Sequence, residues 1–189
     1  MTRTILALLA GLLVLSGCSS LDGTGDKGYV TGDSRIVQRA VEDREPPIEL
    51  AGEDLDGEAL DIAEFHGKPV VIVVWGAWCG PCRAEAPEVV AAAEELGDRA
   101  QFVGVNLRDP SPENARSFVR TFEVPYPSIS SPDGKAMLAF DGVLTPNSIP
   151  SFVVLDAEGR VAASIPGELP SRTTLVQVVK DVLGETADG

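Results

Sequence analysis

Read as a pattern of apolar and polar positions, the chain changes character several times. Ile5 to Leu15 is a short, unbroken apolar run. Ser19 to Glu45 is polar, with Gly and charge and little apolar periodicity, and Pro46-Pro47 then interrupts the chain. Such a stretch buries too little surface to fold alone and reads as a flexible linker. Regular patterns begin beyond it. Ile48 to Leu60 reads as a short hairpin turning at Asp56-Gly57, and Ile62 to Phe65 as a helical turn ending at Gly67. Val70-Val71-Ile72-Val73-Val74 is a continuous β-branched run, the pattern of a central strand covered on both faces. A helix is predicted from Pro81 to about Leu96, with Gly97 as its stop and Pro87 as an internal kink. Gln101 to Asn106 patterns as a strand, and Pro112 to Phe122 as a helix with Phe118, Val119 and Phe122 at helical spacing. A short strand at Tyr126 to Ser130 and a short helix at Gly134 to Phe140 follow. Phe152 to Leu155 and Val161 to Ile165 are strands around the turn Asp156-Ala157-Glu158-Gly159, and Ser171 can cap a last helix reaching about Leu183. Strands and helices alternate and a hairpin closes the order, which implies an α/β sandwich on a mixed sheet.

The length of 189 residues suits one domain with appendages, and 44% hydrophobic with 23% charged residues is a globular composition. The apolar run is preceded by Arg3 and is too short to span a bilayer, so it reads as a secretory signal peptide. It leads into Leu15-Ser16-Gly17-Cys18, which resembles the bacterial lipobox. That resemblance implies cleavage before Cys18 and a diacylglycerol thioether on its sulfur, with several acyl chains giving stable anchoring at the extracytoplasmic face. The expected organisation is a signal peptide over 1–17, a lipid-anchored tether over 18–45, one domain over 46–184 and a tail over 185–189. Cleavage removes only Arg3 among charged side chains, so a formal net charge of −14 becomes one unit more negative. Such a surface repels nucleic acid and anionic headgroups, and a lipid rather than a basic patch must hold the protein at a membrane.

The cysteine count then takes on meaning. Of three cysteines, lipidation consumes Cys18 and leaves Cys79 and Cys82. One pair in an oxidising compartment is not a disulfide scaffold, and its presence calls for a chemical explanation. Cys79-Gly80-Pro81-Cys82 stands where the central strand hands over to a helix. The unpaired N–H groups and partial positive charge of a helix N-terminus stabilise a thiolate at the first cysteine. The second lies one turn on, within disulfide reach. Cys79 is expected to be the exposed nucleophile, and Cys82 the buried thiol that resolves a mixed disulfide. Pro81 falls in the first helical turn, where its missing N–H costs nothing.

Trp75-Gly76-Ala77-Trp78-Cys79-Gly80-Pro81-Cys82 resembles the thioredoxin signature, and Pro87 falls where thioredoxins carry a kinking proline. The fuller resemblance is to the membrane-tethered TlpA/ResA-like branch of that superfamily. It rests on the N-terminal hairpin, Gly67-Lys68-Pro69 and a strand–helix insert at about Asp109 to Gly142, and spans roughly Pro46 to Leu183. It implies an α/β, thioredoxin-like three-layer sandwich with a mixed central sheet, an N-terminal hairpin and that insert. It also implies that Trp78, Gly80 and Pro81 shape the reactive loop and that Trp75, Ile149 and Pro150 serve substrate binding. Trp75 is equally suited to core packing. Thioredoxin-like proteins hold a cis-proline before a strand such as Ser151-Phe152-Val153-Val154, with the preceding residue, here Ile149, pairing its backbone with a substrate peptide. Cis geometry itself is not legible in sequence. Thioredoxins bury an acid where this chain has Val73. The TlpA/ResA-like branch instead carries a Glu three residues after the second cysteine, a position held by Glu85. Partial burial would raise its pKa and let it exchange a proton with Cys82; the alternative is a solvated carboxylate like Glu88 or Glu94. His66 reads as solvent-facing, and Asn106 and Asp109 as site-end or turn residues.

The resemblance implies an extracytoplasmic enzyme that reduces protein disulfides, of the cytochrome c maturation type. Apocytochrome c is a candidate substrate and a membrane thiol relay protein the electron donor. An oxidising, DsbE-like enzyme is the alternative direction. A copper- or zinc-binding module would need more ligands than one Cys pair and one preceding His. A peroxiredoxin would carry Thr where Gly76 stands. A purely structural disulfide across four residues would restrain little chain entropy. No cofactor and no metal are expected.

Overall fold

The run Val70 to Val74 reads as a strand buried on both sides, and strand β6 (Val70–Trp75) is buried at every position. The computed structural model that shows this describes residues 30, 31 and 34–187. The expected signal segment, Cys18 and about half of the expected linker lie outside the described residues. In chain order the strands are β1 (Val30–Thr31), β2 (Ser34–Arg35), β3 (Val37–Gln38), β4 (Ala51–Glu53), β5 (Ala59–Asp61), β6, β7 (Gln101–Leu107), β8 (Ser128–Ser131), β9 (Ser151–Leu155) and β10 (Val161–Pro166). The helices are α1 (Gly80–Leu96), α2 (Pro112–Phe122) and α3 (Arg172–Ala187). Short 3-10 turns occupy Ile62–Phe65 and Lys135–Phe140.

A six-stranded sheet in the order β3-β10-β9-β6-β7-β8 forms the middle layer. β6, β7 and β8 are parallel, whereas β9 runs antiparallel to both β6 and β10. Alternation along β6 divides its side chains between two cores. Val71, Val73 and Trp75 join the apolar cluster under the helices, with Val89, Ala92 and Leu96 of α1, Phe118 of α2 and Leu175 and Val179 of α3. Val70, Ile72 and Val74 join the opposite cluster with Leu50, Leu60 and Ile62 from the hairpin side and Met137 and Phe140 from the 3-10 turn. Each such valine contributes about 1.5–3 kcal/mol by leaving water, so this strand seeds both cores. The result is the three-layer thioredoxin-like sandwich with mixed sheet, hairpin and insert that the resemblance implied.

Several elements shift for identifiable reasons. The hairpin strands are Ala51–Glu53 and Ala59–Asp61, so the predicted first strand lies three residues too early. The Ile48 N–H donates instead to the Gly159 carbonyl (3.1 Å), which draws Ile48 to the β9–β10 turn. The strand expected at Tyr126 begins at Ser128, after Pro127, whose carbonyl accepts the Gly104 N–H at 2.8 Å.

The boundary placed at Pro46 also falls too late. β3 pairs with β10, Ile36 is buried, and the Arg44 side chain is only 2% exposed. Arg44 donates to Asp156 (3.1 Å), to the Arg39 carbonyl and to the Glu185 carboxylate. Asp156, itself buried, also accepts from Arg160 and from the backbone N–H groups of Glu158 and Arg160. A guanidinium can sit in such a place only with its donors matched by acceptors. Its partners lie 112 and 141 residues along the chain.

Candidate functional site

β6 ends at Trp75, and Gly76-Ala77-Trp78 carries the chain to Cys79, the N-cap of α1. Cys79 Sγ accepts the Cys82 N–H at 3.1 Å, and Pro81 occupies the first turn. Cys79 and Cys82 form a disulfide with a Cα–Cα distance of 5.3 Å. One expectation is corrected here: Cys79 is 4% exposed and Cys82 3%, so neither sulfur stands out in the oxidised state. In this state Cys79 Sγ lies at the helix end, where it accepts the Cys82 N–H.

The two tryptophans part company. Trp78 is 52% exposed, and its indole N–H donates to the Leu107 carbonyl at 2.9 Å. Gly76 permits this fold-back, because a Cβ there would come within 2.7 Å of the Trp78 Nε1. A threonine at 76, as a peroxiredoxin requires, would collide with that ring. Trp75, read both as a substrate-binding and as a core-packing residue, is buried, as the second reading requires. It stacks on Phe118 at 4.3 Å between centroids and donates to Ser128 Oγ at 3.3 Å, so it supports the site's floor.

The Ile149-Pro150 peptide bond is cis. Ile149 is half-buried against the cluster that holds both cysteines. Its N–H donates to the Asn147 carbonyl at 2.9 Å, so a partner strand takes that donor only by displacing Asn147. The Pro150 carbonyl accepts the Gly167 N–H at 3.0 Å. Two residues further along the same loop, the Leu169 N–H donates to Glu85 Oε2 at 2.9 Å. Glu85 therefore links α1 to the loop after β10, whose Gly167 N–H meets the Pro150 carbonyl. Unlike the exposed Glu88 and Glu94, it is half-buried. Loss of solvation raises its pKa to about 7, the Leu169 N–H partly opposes that, and the negative charge of Glu168 adds to it. Burial, with the nearby Glu85 charge, pushes the Tyr126 hydroxyl upward as well.

Arg108 escaped the sequence reading, and Asp109 entered it as a site-end or turn candidate. They form one brace. Arg108 adopts φ +55°, a left-handed conformation rare for a side-chain-bearing residue and common at functional sites. Its guanidinium donates to the Pro146 carbonyl (2.7 Å) and Asn147 Oδ1 (3.2 Å), in the loop before the cis-proline. Asp109, 7% exposed, accepts the Ala77 N–H at 3.0 Å and the Asn106 amide at 2.6 Å, which fixes the loop before Cys79. Among the described residues its other oxygen is buried without a partner. Two consecutive side chains thus hold the two loops that flank the disulfide. The only sequence signal was position, at the end of a parallel strand.

Comparison with known proteins agrees with this geometry. The family model described as Redoxin matches residues 40–183. Thiol:disulfide interchange protein HelX of Rhodobacter capsulatus is 28% identical over 179 residues, covering 94% of this chain and 95% of that protein. Thiol-disulfide oxidoreductase ResA of Bacillus thuringiensis is 26% identical over 161 residues, covering 83% and 86%. Among solved structures, a DsbF homologue from Corynebacterium diphtheriae is 32% identical with a TM-score of 0.73, covering 83% of this chain and 99% of its own. A secreted thiol-disulfide isomerase from Corynebacterium glutamicum is 27% identical with a TM-score of 0.75, covering 84% and 99%.

Proposed function

The chain belongs to the Redoxin family and is a thiol–disulfide oxidoreductase of the thioredoxin superfamily, and from that premise we propose that it works outside the cytoplasm as a lipid-anchored reductase of protein disulfides. The observation that carries the reading is the Cys79–Cys82 bridge at the N-terminus of α1, with the cis-proline loop packed against the same cluster. In the reduced enzyme the Cys79 thiolate attacks one sulfur of a partner disulfide. A Cys79–partner bond forms and the partner's second sulfur leaves as a thiolate. Cys82, giving its proton to Glu85, then attacks Cys79 Sγ and frees the first partner sulfur. Two electrons pass to the partner and the Cys79–Cys82 bridge returns. A membrane dithiol relay resets it, and apocytochrome c cysteines are the candidate substrate, as the TlpA/ResA-like resemblance implies. Lipidation at Cys18 would hold the enzyme at the membrane, and the secreted relatives support the compartment.

In the alternative, DsbE-like reading the same bridge is donated to partners, with electrons flowing the other way. The reduction potential of Cys79–Cys82 decides between them. Gly80-Pro81 between the cysteines leads us to expect a value near that of thioredoxin, about −270 mV. A value near that of strong oxidants, about −120 mV, would overturn the reducing direction.

Glu85→Gln supplies a second test. In the folded protein the Glu85 pKa is raised from 4.5 to about 7, so the fold loses stability as pH rises from about 4.5 through 7 and regains it on acidification. Glutamine mimics the protonated acid and can still accept the Leu169 N–H. The variant is therefore expected to be more stable than the parent at pH 8 and equal to it below about pH 4.5. Its exchange rate should lose an inflection near pH 7 that the parent shows. Unfolding midpoints and rate profiles across pH check both, and superimposable rate profiles would remove Glu85 from the proton transfer.

A further inference from the structure

A crevice of about 280 Å³ opens beside Trp78, between the reactive loop and α2. Ala77, Trp78 and Arg83 line one side of it and Asn114, Ser117 and Thr121 the other. The disulfide chemistry makes no use of this space, but its lining is selective. Arg83 lies one helical turn beyond Cys79. Its guanidinium stands 5.9 Å from the Phe118 ring centroid and 5.3 Å from that of Phe122, and reaches the Ala77 carbonyl at 3.5 Å. Ring faces hold a cation in place without neutralising it. Arg83 takes part in none of the ion pairs among the described residues, in a chain whose formal net charge is −14. Arg39, Lys68, Arg99 and Arg108 are equally outside those pairs, but Arg83 is the charged residue that lines this crevice, a positive centre beside the reactive loop of a strongly acidic chain. Asn114 and Ser117 add an amide and a hydroxyl opposite it, and the exposed indole of Trp78 offers a flat wall for an extended chain.

We infer that this crevice is a subsite for an acidic side chain, Asp or Glu, of the polypeptide whose disulfide meets Cys79. The inference rests on the reading of Cys79 as the attacking sulfur. The acidic surface turns away strongly anionic proteins as a whole, while Arg83 accepts one carboxylate placed near the partner's cysteine. Selectivity thus arises from two opposed fields, one spread over the surface and one local.

The test uses reduced full-length protein and short peptides, each with one cysteine held in a mixed disulfide. Asp, Asn or Lys is placed at each of the three positions on either side of that cysteine. At low salt the Asp peptide is expected to react about three- to fivefold faster than the Asn peptide at one or more positions, the range of an exposed ion pair. The preference should fade at about 0.5 M salt, where screening is short-ranged. Arg83→Gln should bring the Asp/Asn ratio to about one. Ser117→Asp, which supplies the crevice with its own carboxylate, should do the same while leaving Arg83 on its rings. An equal Asp/Asn ratio in the parent, or a ratio unchanged by Arg83→Gln, would overturn the subsite. Absence of exchange with every peptide would overturn the reading of Cys79 beneath it, so the two failures are distinct.

Discussion

Cys79→Ser is expected to lower thiol–disulfide exchange by at least about a thousandfold, because a hydroxyl at neutral pH is a far weaker nucleophile toward sulfur than a thiolate. Cys82→Ser should behave differently. The first attack still proceeds, but nothing resolves it, and the enzyme accumulates as a mixed disulfide with its partner through Cys79. Non-reducing gels and mass spectrometry of the trapped species check both outcomes. If Cys18 carries the proposed thioether, it offers no third thiol to rescue either variant. Equal trapping by the two variants, or residual turnover in Cys79→Ser, would contradict the assigned order of attack and resolution.

The second large effect is expected at Asp109, which touches neither sulfur. Asp109→Ala removes the acceptor of two buried donors, the Ala77 N–H and the Asn106 amide. Leaving them unsatisfied costs about 2–4 kcal/mol of stability, readable as a lowered urea midpoint. The loop before Cys79 would also lose its fixed position, and exchange with a folded protein substrate should fall about ten- to hundredfold. Asp109→Asn keeps one accepting oxygen and should lose less of both. If the alanine variant matches the parent in stability and rate, the brace has no part in positioning the reactive loop.

The contrast between these two sites shows what periodicity can reveal. The buried run Val70 to Val74, the helix bracketed by Pro81 and Gly97, and the Asp156 to Gly159 turn are all legible because each depends on neighbours in sequence. Cys79 and Cys82 are legible because their spacing and junction carry the chemistry. Arg108 is not, and Asp109 is legible only as a residue at a strand's end, since their roles depend on loops that only the closed sheet brings near. The left-handed φ of Arg108 leaves no mark on residue choice, which elsewhere would be Gly. Arg44 resembled one more linker charge until its partners, more than a hundred residues away, buried it. Burial of Cys79 was hidden for a related reason: a motif states which residues meet, not which of them reach the surface.

The direction of β3 has a practical consequence. β6 delivers the chain to Cys79 at its C-terminal end, and β10 runs parallel to β6 through two antiparallel steps. β3 opposes β10, pairing Val37 with Ser164 and Gln38 with Ala163, so it starts at the disulfide end and runs away from it. α1 and α3 also run away from it side by side, joined by the Lys180–Glu95 pair. The upstream chain is therefore joined to the domain at its working end, and the downstream end of α3 lies at the opposite pole. Immobilised by its C-terminus, the domain would present Trp78 and the disulfide to solution. Held from upstream, it would turn them toward the surface that holds it, where partners confined to that surface are within reach.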